Sequence, residues 1–333
     1  MKKLIRILLA LLLVLLVVAG VGLGYLFIAY PVSQPPSAIK IDPTPERLAR
    51  GEYLAQHVSG CIDCHSERDT TRFALPVKPG TYGKGGDLFD EENNLPGKIY
   101  AKNITPAGIG SWTDGEVLRA MTAGISRDGT PLFPIMPYPH FGTMAEDDVH
   151  AIISYIRSLK AIENTIPART LNFPMNLITR IIPGPASFKP RPSPGDKVAY
   201  GGYLVNAAGC GDCHTPIDDR GQPLPGRDFS GGQVFRNPAT HFRAVTANIT
   251  PDADTGIGSW TEQQFVDKFK GFETSSDAVL NDAEQRQNTM MPWTQFAGMT
   301  REDLAAIYAY LRTLKPVTNR VGKFPDAQPG GGQ

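Results

Sequence analysis

Three patterns of apolar and polar positions run along the chain. The first is an unbroken block. After "MKKLIR", with its Lys2, Lys3 and Arg6, no charged residue occurs from Ile7 to Tyr30. At about 1.5 Å per residue, a helix of that length covers the roughly 30 Å hydrocarbon core of a bilayer. The second pattern is helical periodicity. Val149, Ile152, Ile153, Ile156 and Leu159 fall on one face, and Leu304, Ile307, Tyr308, Leu311 and Leu314 do the same further on. Thr300 with Asp303 predicts an N-cap for the later helix, whereas Ala145 at the matching place cannot cap. "WTDGEVLRAMTAGI" and "WTEQQFVDKF" predict one more helix in each half. The third pattern is a lack of period-two alternation. With 34 glycines and 29 prolines, this points to short helices joined by long structured loops, so the expected class is all-α.

The two halves echo one another. "RGEYL" (50–54) matches "YGGYL" (200–204), and "GCIDCHS" (60–66) matches "GCGDCHT" (209–215). "AKNITPAGIGSWT" (101–113) matches "TANITPDADTGIGSWT" (246–261), with three extra residues in the second copy. "IMPYPHFGTMAEDD" (135–148) matches "MMPWTQFAGMTRED" (290–303) without a gap, and "AIISYIRSLK" (151–160) matches "AIYAYLRTLK" (306–315). Conserved order over such a long period marks a duplicated domain rather than a solenoid. The expected organisation is an anchor or signal (1–30), a proline-rich spacer (31–43), domain one (44–160), a linker (161–194), domain two (195–316) and a tail (317–333). Leu171, Phe173, Leu177, Ile178, Ile181 and Ile182 predict a linker that packs against something.

Charge narrows the partners. Lysine plus arginine equals aspartate plus glutamate at 33 each, and no basic stripe points to nucleic acid. The basic flank at the N-terminus keeps that end cytoplasmic, so everything after Pro31 is expected in the periplasm behind a single-pass inner-membrane helix. Gly20-Val21-Gly22 offers a cleavage site for a signal peptide. The apolar run continues past it, however, beyond the usual ~7–15 residues of a signal core, which favours a retained anchor.

All four cysteines lie in the two Cys-x-x-Cys-His heptapeptides. A structural zinc site would bring its cysteine pairs closer together in sequence. A thioredoxin-like dithiol would need a βαβ context. A disulfide across two residues would be strained. Attachment of haem c fits the duplication, the export and the adjacent histidines. Cys61 and Cys64, and Cys210 and Cys213, would form thioethers, with His65 and His214 beneath the iron. The expectation is two covalently bound haem c groups.

The ordered set "GxYL…CxxCH…NITP…GIGSWT…MPY/MPW" resembles class I c-type cytochrome domains over roughly 47–317. It is most similar to the cytochrome subunits of membrane-bound bacterial alcohol, aldehyde and gluconate dehydrogenases, which commonly carry three such domains where this chain has two. The resemblance implies a second axial ligand, and methionine opposite histidine raises the potential. Met136 pairs with Met291, and each precedes a proline that disfavours helix at the methionine. Met144 and Met299 precede the closing helices, where a methionine packing against Val149 or Leu304 makes a hydrophobic staple. Met136 and Met291 are thus the expected ligands, and Met121 is core filler. Leu75-Pro76 and Leu224-Pro225 lie equally far beyond the two histidines, and the family's habit makes Pro76 and Pro225 the expected carbonyl partners of His65 and His214. Trp112 and Trp260 are expected in the core beside a helix start, with an indole N–H in reach of a haem propionate. Asn103 and Asn248 are expected as turn-formers. His57, His140, His150 and His241 are expected as structural or surface residues, His150 near an exposed helix face.

The implied function is periplasmic electron carriage between a dehydrogenase and a respiratory acceptor, whether an oxidase, a quinone-linked complex or a soluble cytochrome. The alternative is a dihaem redox enzyme of peroxidase or thiosulfate dehydrogenase type. The insertion "GFETSSDAVLNDAEQRQNT" (271–289) gives the second copy the asymmetry such an enzyme would need.

Overall fold

The computed structural model describes residues 1–32, 34–274 and 278–327. The end of the tail and part of the 271–289 insertion therefore lie outside the described residues.

Each half is built round a packed pair of helices. In the first, the opening helix Pro45–Tyr53 lies on the closing helix Glu146–Ser158; in the second, Lys197–Ala207 lies on Arg301–Leu311. Glycine permits the contact. A Cβ on Gly51 would sit 1.9 Å from the Ala151 carbonyl oxygen, and one on Gly201 would sit 1.8 Å from that of Ala306. No side chain fits there, so backbone meets backbone. The closing helices bury their apolar faces, with Val149, Ile152, Ile153, Leu304 and Ile307 in the core. Met144 and Met299 are buried beside them, as the staple reading requires. Thr300 caps its helix by accepting from the Asp303 N–H at 3.1 Å, and Ala145 makes no side-chain cap. The helices Asp114–Ala123 and Glu262–Lys270 each begin with a reciprocal capping box, Thr113 with Glu116 and Thr261 with Gln264.

The first copy has one residue more between its leucine and its first cysteine, seven positions from Leu54 to Cys61 against six from Leu204 to Cys210. The surplus residue is absorbed as a π-helical turn, Leu54–Val58, closed by the Ser59 N–H on the Leu54 carbonyl at 2.7 Å. Both copies then enter the cysteine helix through a left-handed glycine, Gly60 at φ 65° and Gly209 at φ 62°.

The all-α expectation needs correction. Helices dominate, but five short strands occur among the described residues. β1 (Leu88–Phe89), β2 (Gly97–Tyr100) and β3 (Thr170–Leu171) form an antiparallel sheet in that order, and β4 (Val234–Arg236) pairs with β5 (Arg243–Val245). With two to four residues each, they are too short for alternation to register in sequence.

The halves meet through a pseudo-two-fold set of contacts. The Tyr53 hydroxyl donates to Asp303 Oδ2 at 2.6 Å and accepts from the Thr300 N–H at 3.1 Å. The Tyr203 hydroxyl donates to Asp148 Oδ2 at 2.6 Å and accepts from the Ala145 N–H at 3.4 Å. His57 Nδ1 donates to the Gln295 carbonyl at 3.1 Å, and Asn206 Nδ2 donates to the His140 carbonyl at 3.3 Å. Equivalent residues of the two copies thus contact each other reciprocally, as in an isologous dimer.

The linker departs from expectation. β3 adds to the first-half sheet, and Leu171, Leu177 and Ile182 are half-buried, but Phe173, Ile178 and Ile181 are 80%, 39% and 51% exposed.

Candidate haem-attachment sites

Cys61 and Cys64 occupy one helical turn, Cys61–Cys64, and His65 follows as its C-cap; Cys210, Cys213 and His214 all lie within Cys210–His214. The spacing places both sulfurs on neighbouring positions of a single turn. All four cysteines are free thiols. Burial pushes the Cys61 and Cys210 thiols up to about 12, so neither is poised for thiolate exchange. Among the described residues, there is no group of three or more His, Cys, Asp or Glu side chains that could hold a metal ion.

The histidines are held identically. His65 Nδ1 donates to the Lys102 carbonyl at 2.7 Å, and His214 Nδ1 donates to the Ala247 carbonyl at 2.7 Å. Among the described residues, neither Nε2 has a hydrogen-bond partner. Burial holds both imidazoles below the ordinary histidine range, although the carbonyls oppose it, so each ring is neutral and its Nε2 lone pair is available. Two free thiols one turn apart, followed by a neutral imidazole with an open Nε2, form the donor set that a covalently attached haem requires.

These carbonyls correct the expectation for Pro76 and Pro225. The Pro76 carbonyl instead accepts from the Asp69 N–H at 2.8 Å, and His214 turns to Ala247 rather than Pro225. The carbonyls of Lys102 and Ala247 come from the repeated Asn-Ile-Thr-Pro block, the residue just before each asparagine. Asn103 and Asn248 do form the turn: each Oδ1 accepts from the Thr N–H and hydroxyl two residues on, at 3.0 and 2.7 Å. They also tie down the chain beyond each closing helix, through Ile162 O at 2.8 Å and Val317 O at 2.7 Å.

A pair of glycines was missed from the sequence. The Gly85 N–H donates to the His65 carbonyl at 2.8 Å, and the Gly231 N–H to that of His214 at 2.6 Å. Both lie in the left-handed region, at φ 69° and 72°, with the 102 and 247 carbonyls packed where a Cβ would be. The signal was present as Gly85-Gly86 in one copy and Gly231-Gly232 in the other.

Met136 and Met291 are half-buried against the core, each at a bend ending in the proline that N-caps the next short helix. Met121 is in the core. Trp112 and Trp260 are half-buried against it, and their carbonyls accept from Arg157 and Tyr308. His150 is 8% exposed, which overturns the exposed face expected for it. His57, His140 and His241 all sit where the halves meet: His140 reaches Asn206 and Asp212 at 2.8 and 2.9 Å, and His241 reaches Glu92 at 2.6 Å.

The described residues of the 271–289 insertion form a strap between the halves. Leu280 N–H donates to the Thr71 carbonyl at 2.9 Å, Asn288 Nδ2 to the Arg72 carbonyl at 2.9 Å, and Ala74 N–H to Asn288 Oδ1 at 2.9 Å. Phe73 and Phe272 stack with ring centres 5.2 Å apart. The asymmetry of the second copy is thus spent on the first copy's 70–74 loop.

Residues 198–315 match the family model for cytochrome c. The chain is 30% identical over 293 residues to the cytochrome c subunit of the quinone alcohol dehydrogenase of Gluconacetobacter polyoxogenes, an alignment covering 83% of this chain and 58% of that one. It is 29% identical over 294 residues to the fructose dehydrogenase cytochrome subunit of Gluconobacter japonicus, covering 82% and 54%. A diheme cytochrome c-type protein of Cereibacter sphaeroides is 26% identical over 280 residues, covering 81% and 86%. The chain therefore spans little more than half the length of the two dehydrogenase subunits. The second half of the chain thus carries a cytochrome c domain, and most of its length is similar to cytochrome c subunits of dehydrogenases.

Proposed function

We propose that this chain is a two-haem electron carrier, anchored in the inner membrane with both haem domains in the periplasm. Cys61 and Cys64 would hold one haem c and Cys210 and Cys213 the other. His65 with Met136, and His214 with Met291, would hold the two irons. A bound haem c supplies one-electron cycling between ferric and ferrous iron. The carbonyls of Lys102 and Ala247 fix each imidazole through Nδ1 and raise the basicity of Nε2. The sulfurs of Met136 and Met291 would favour the reduced state. An iron held by a histidine and a methionine side chain together would leave no place for oxygen or peroxide. The reciprocal tyrosine–aspartate contacts keep the two sites in one fixed relation.

The observation that carries this reading is the matched pair of Nδ1–carbonyl bonds, both 2.7 Å, in repeated surroundings. Relatives that are dehydrogenase cytochrome subunits support a dehydrogenase as donor. Electrons would then leave to an oxidase, a quinone-linked complex or a soluble cytochrome. Mass spectrometry of the mature protein should find two haem adducts, with one lost in a Cys210→Ala/Cys213→Ala variant. A single adduct in the native protein would refute the count, and a carbon monoxide-sensitive spectrum would refute the closed coordination. Purified protein reduced by none of the candidate dehydrogenases would refute the donor.

A further inference from the structure

We propose that the linker segment 173–181 lies on the outer surface of the membrane and inserts Phe173, Ile178 and Ile181 into lipid, a second attachment beside the N-terminal helix. The inference rests on the anchor reading above. Counting from Ile7, about 20 residues at 1.5 Å each cross the hydrocarbon, so its far edge falls near Phe27. The linker touches the helix at that level. Arg180 Nη2 donates to the Tyr30 carbonyl at 2.6 Å and lies 3.4 Å from that of Phe27. Its guanidinium also sits 4.5 Å from the centre of the Phe27 ring. A cation on the last carbonyls of a helix is held by the helix dipole as well. Tyr25, Phe27 and Tyr30 make the aromatic belt expected at a membrane interface.

From this fixed point the segment is helical in pitch. The Ile178 N–H donates to the Pro174 carbonyl, Thr179 to Met175, and Ile181 to Ile178. Phe173 is therefore within about 10 Å of Arg180 along the axis. Ile178 and Ile181, three apart, share a face. Phe173 is 80% exposed. Charge agrees with a lipid occupant: between Glu163 and Asp196 the chain has no acidic residue but carries Arg169, Arg180, Lys189 and Arg191. Apolar side chains beside basic ones, at the depth of the headgroups, are the make-up of an interfacial segment.

The test uses full-length holoprotein in nanodiscs of phosphatidylethanolamine and phosphatidylglycerol, kept oxidised so that neither nitroxide nor oxygen is consumed, with each label's saturation under nitrogen as its baseline. Nitroxides are placed at Phe173→Cys, Ile178→Cys, Asp219→Cys and Leu15→Cys, and collisions with oxygen and with a water-soluble nickel chelate are compared. Labels at 173 and 178 should favour oxygen over nickel severalfold more than the label at 219 does. If they are as nickel-accessible as 219 while 15 reports lipid, the proposal is overturned and the anchor stands. If 15 itself reports water, the anchor falls and this proposal with it. Labels at 173 and 178 that become shielded from both reagents only when a dehydrogenase is added would assign the face to protein and overturn the lipid occupant.

Discussion

Gly231 and Gly226 make a controlled pair. Both are left-handed, at φ 72° and 71°. A Cβ at Gly226 meets nothing within 4 Å, whereas one at Gly231 would lie 2.4 Å from both the Ala247 carbonyl carbon and the Thr246 oxygen. Gly226→Ala should cost only the left-handed backbone, about 1–2 kcal/mol. Gly231→Ala bears the same cost and must also drive backbone atoms apart by about 1 Å, which overpacking studies put at a further ~1–3 kcal/mol. The backbone that yields is the carbonyl that orients His214. A weaker Nδ1 bond lowers ligand basicity, so, with the two haems proposed above, the potential of the second should rise and that of the first should stay. Guanidinium unfolding followed at the Soret band, with a redox titration of each variant, measures both. Equal destabilisation by the two variants, or an unmoved potential in Gly231→Ala, would refute the claim that this glycine exists to admit the carbonyl.

Asn288→Ala removes the acceptor of the buried Ala74 N–H and should cost about 1–3 kcal/mol in the same unfolding assay. Met136→Leu and Met291→Leu should each lower one potential and open that haem to carbon monoxide; an unchanged spectrum and potential would mean the wrong sulfur was chosen. Acid should loosen the junction of the halves through Asp148. Burial pushes its pKa up, but Arg50, Tyr203 and Arg191 outweigh burial and hold it below the ordinary carboxylate range. A pKa lower in the folded than in the unfolded state stabilises above about pH 4 and loses that stabilisation as pH falls further. Asp148→Asn should therefore be less stable at neutral pH and show a flatter acid limb in pH-dependent melting.

Much of the site was readable because its chemistry is local. Two cysteines and a histidine within five residues need one helical turn, and nothing distant decides their geometry. The helix caps and the burial of Met144 and Met299 were legible for the same reason, since both follow from neighbours three to five positions away. The support of the histidines was not legible. Lys102 O is 37 residues from His65 and Ala247 O is 33 from His214. Many carbonyls lie at such separations, and it was the family resemblance, not spacing, that pointed to the prolines at 76 and 225. Repetition did hold a clue in the paired glycines, but their role appears only once the carbonyls are seen packed against them.

By itself, then, the amino-acid order determined the duplication, the apolar N-terminal helix, the amphipathic helices and the thiol–imidazole motifs, all properties of periodicity and near neighbours. The tertiary structure alone decided which carbonyls hold the imidazoles, that the insertion straps the first half, that His57, His140 and His241 meet the other half, and that part of the linker stays bare. Those outcomes depend on which distant surfaces bury each other, and burial against a remote partner leaves no periodic mark on the chain.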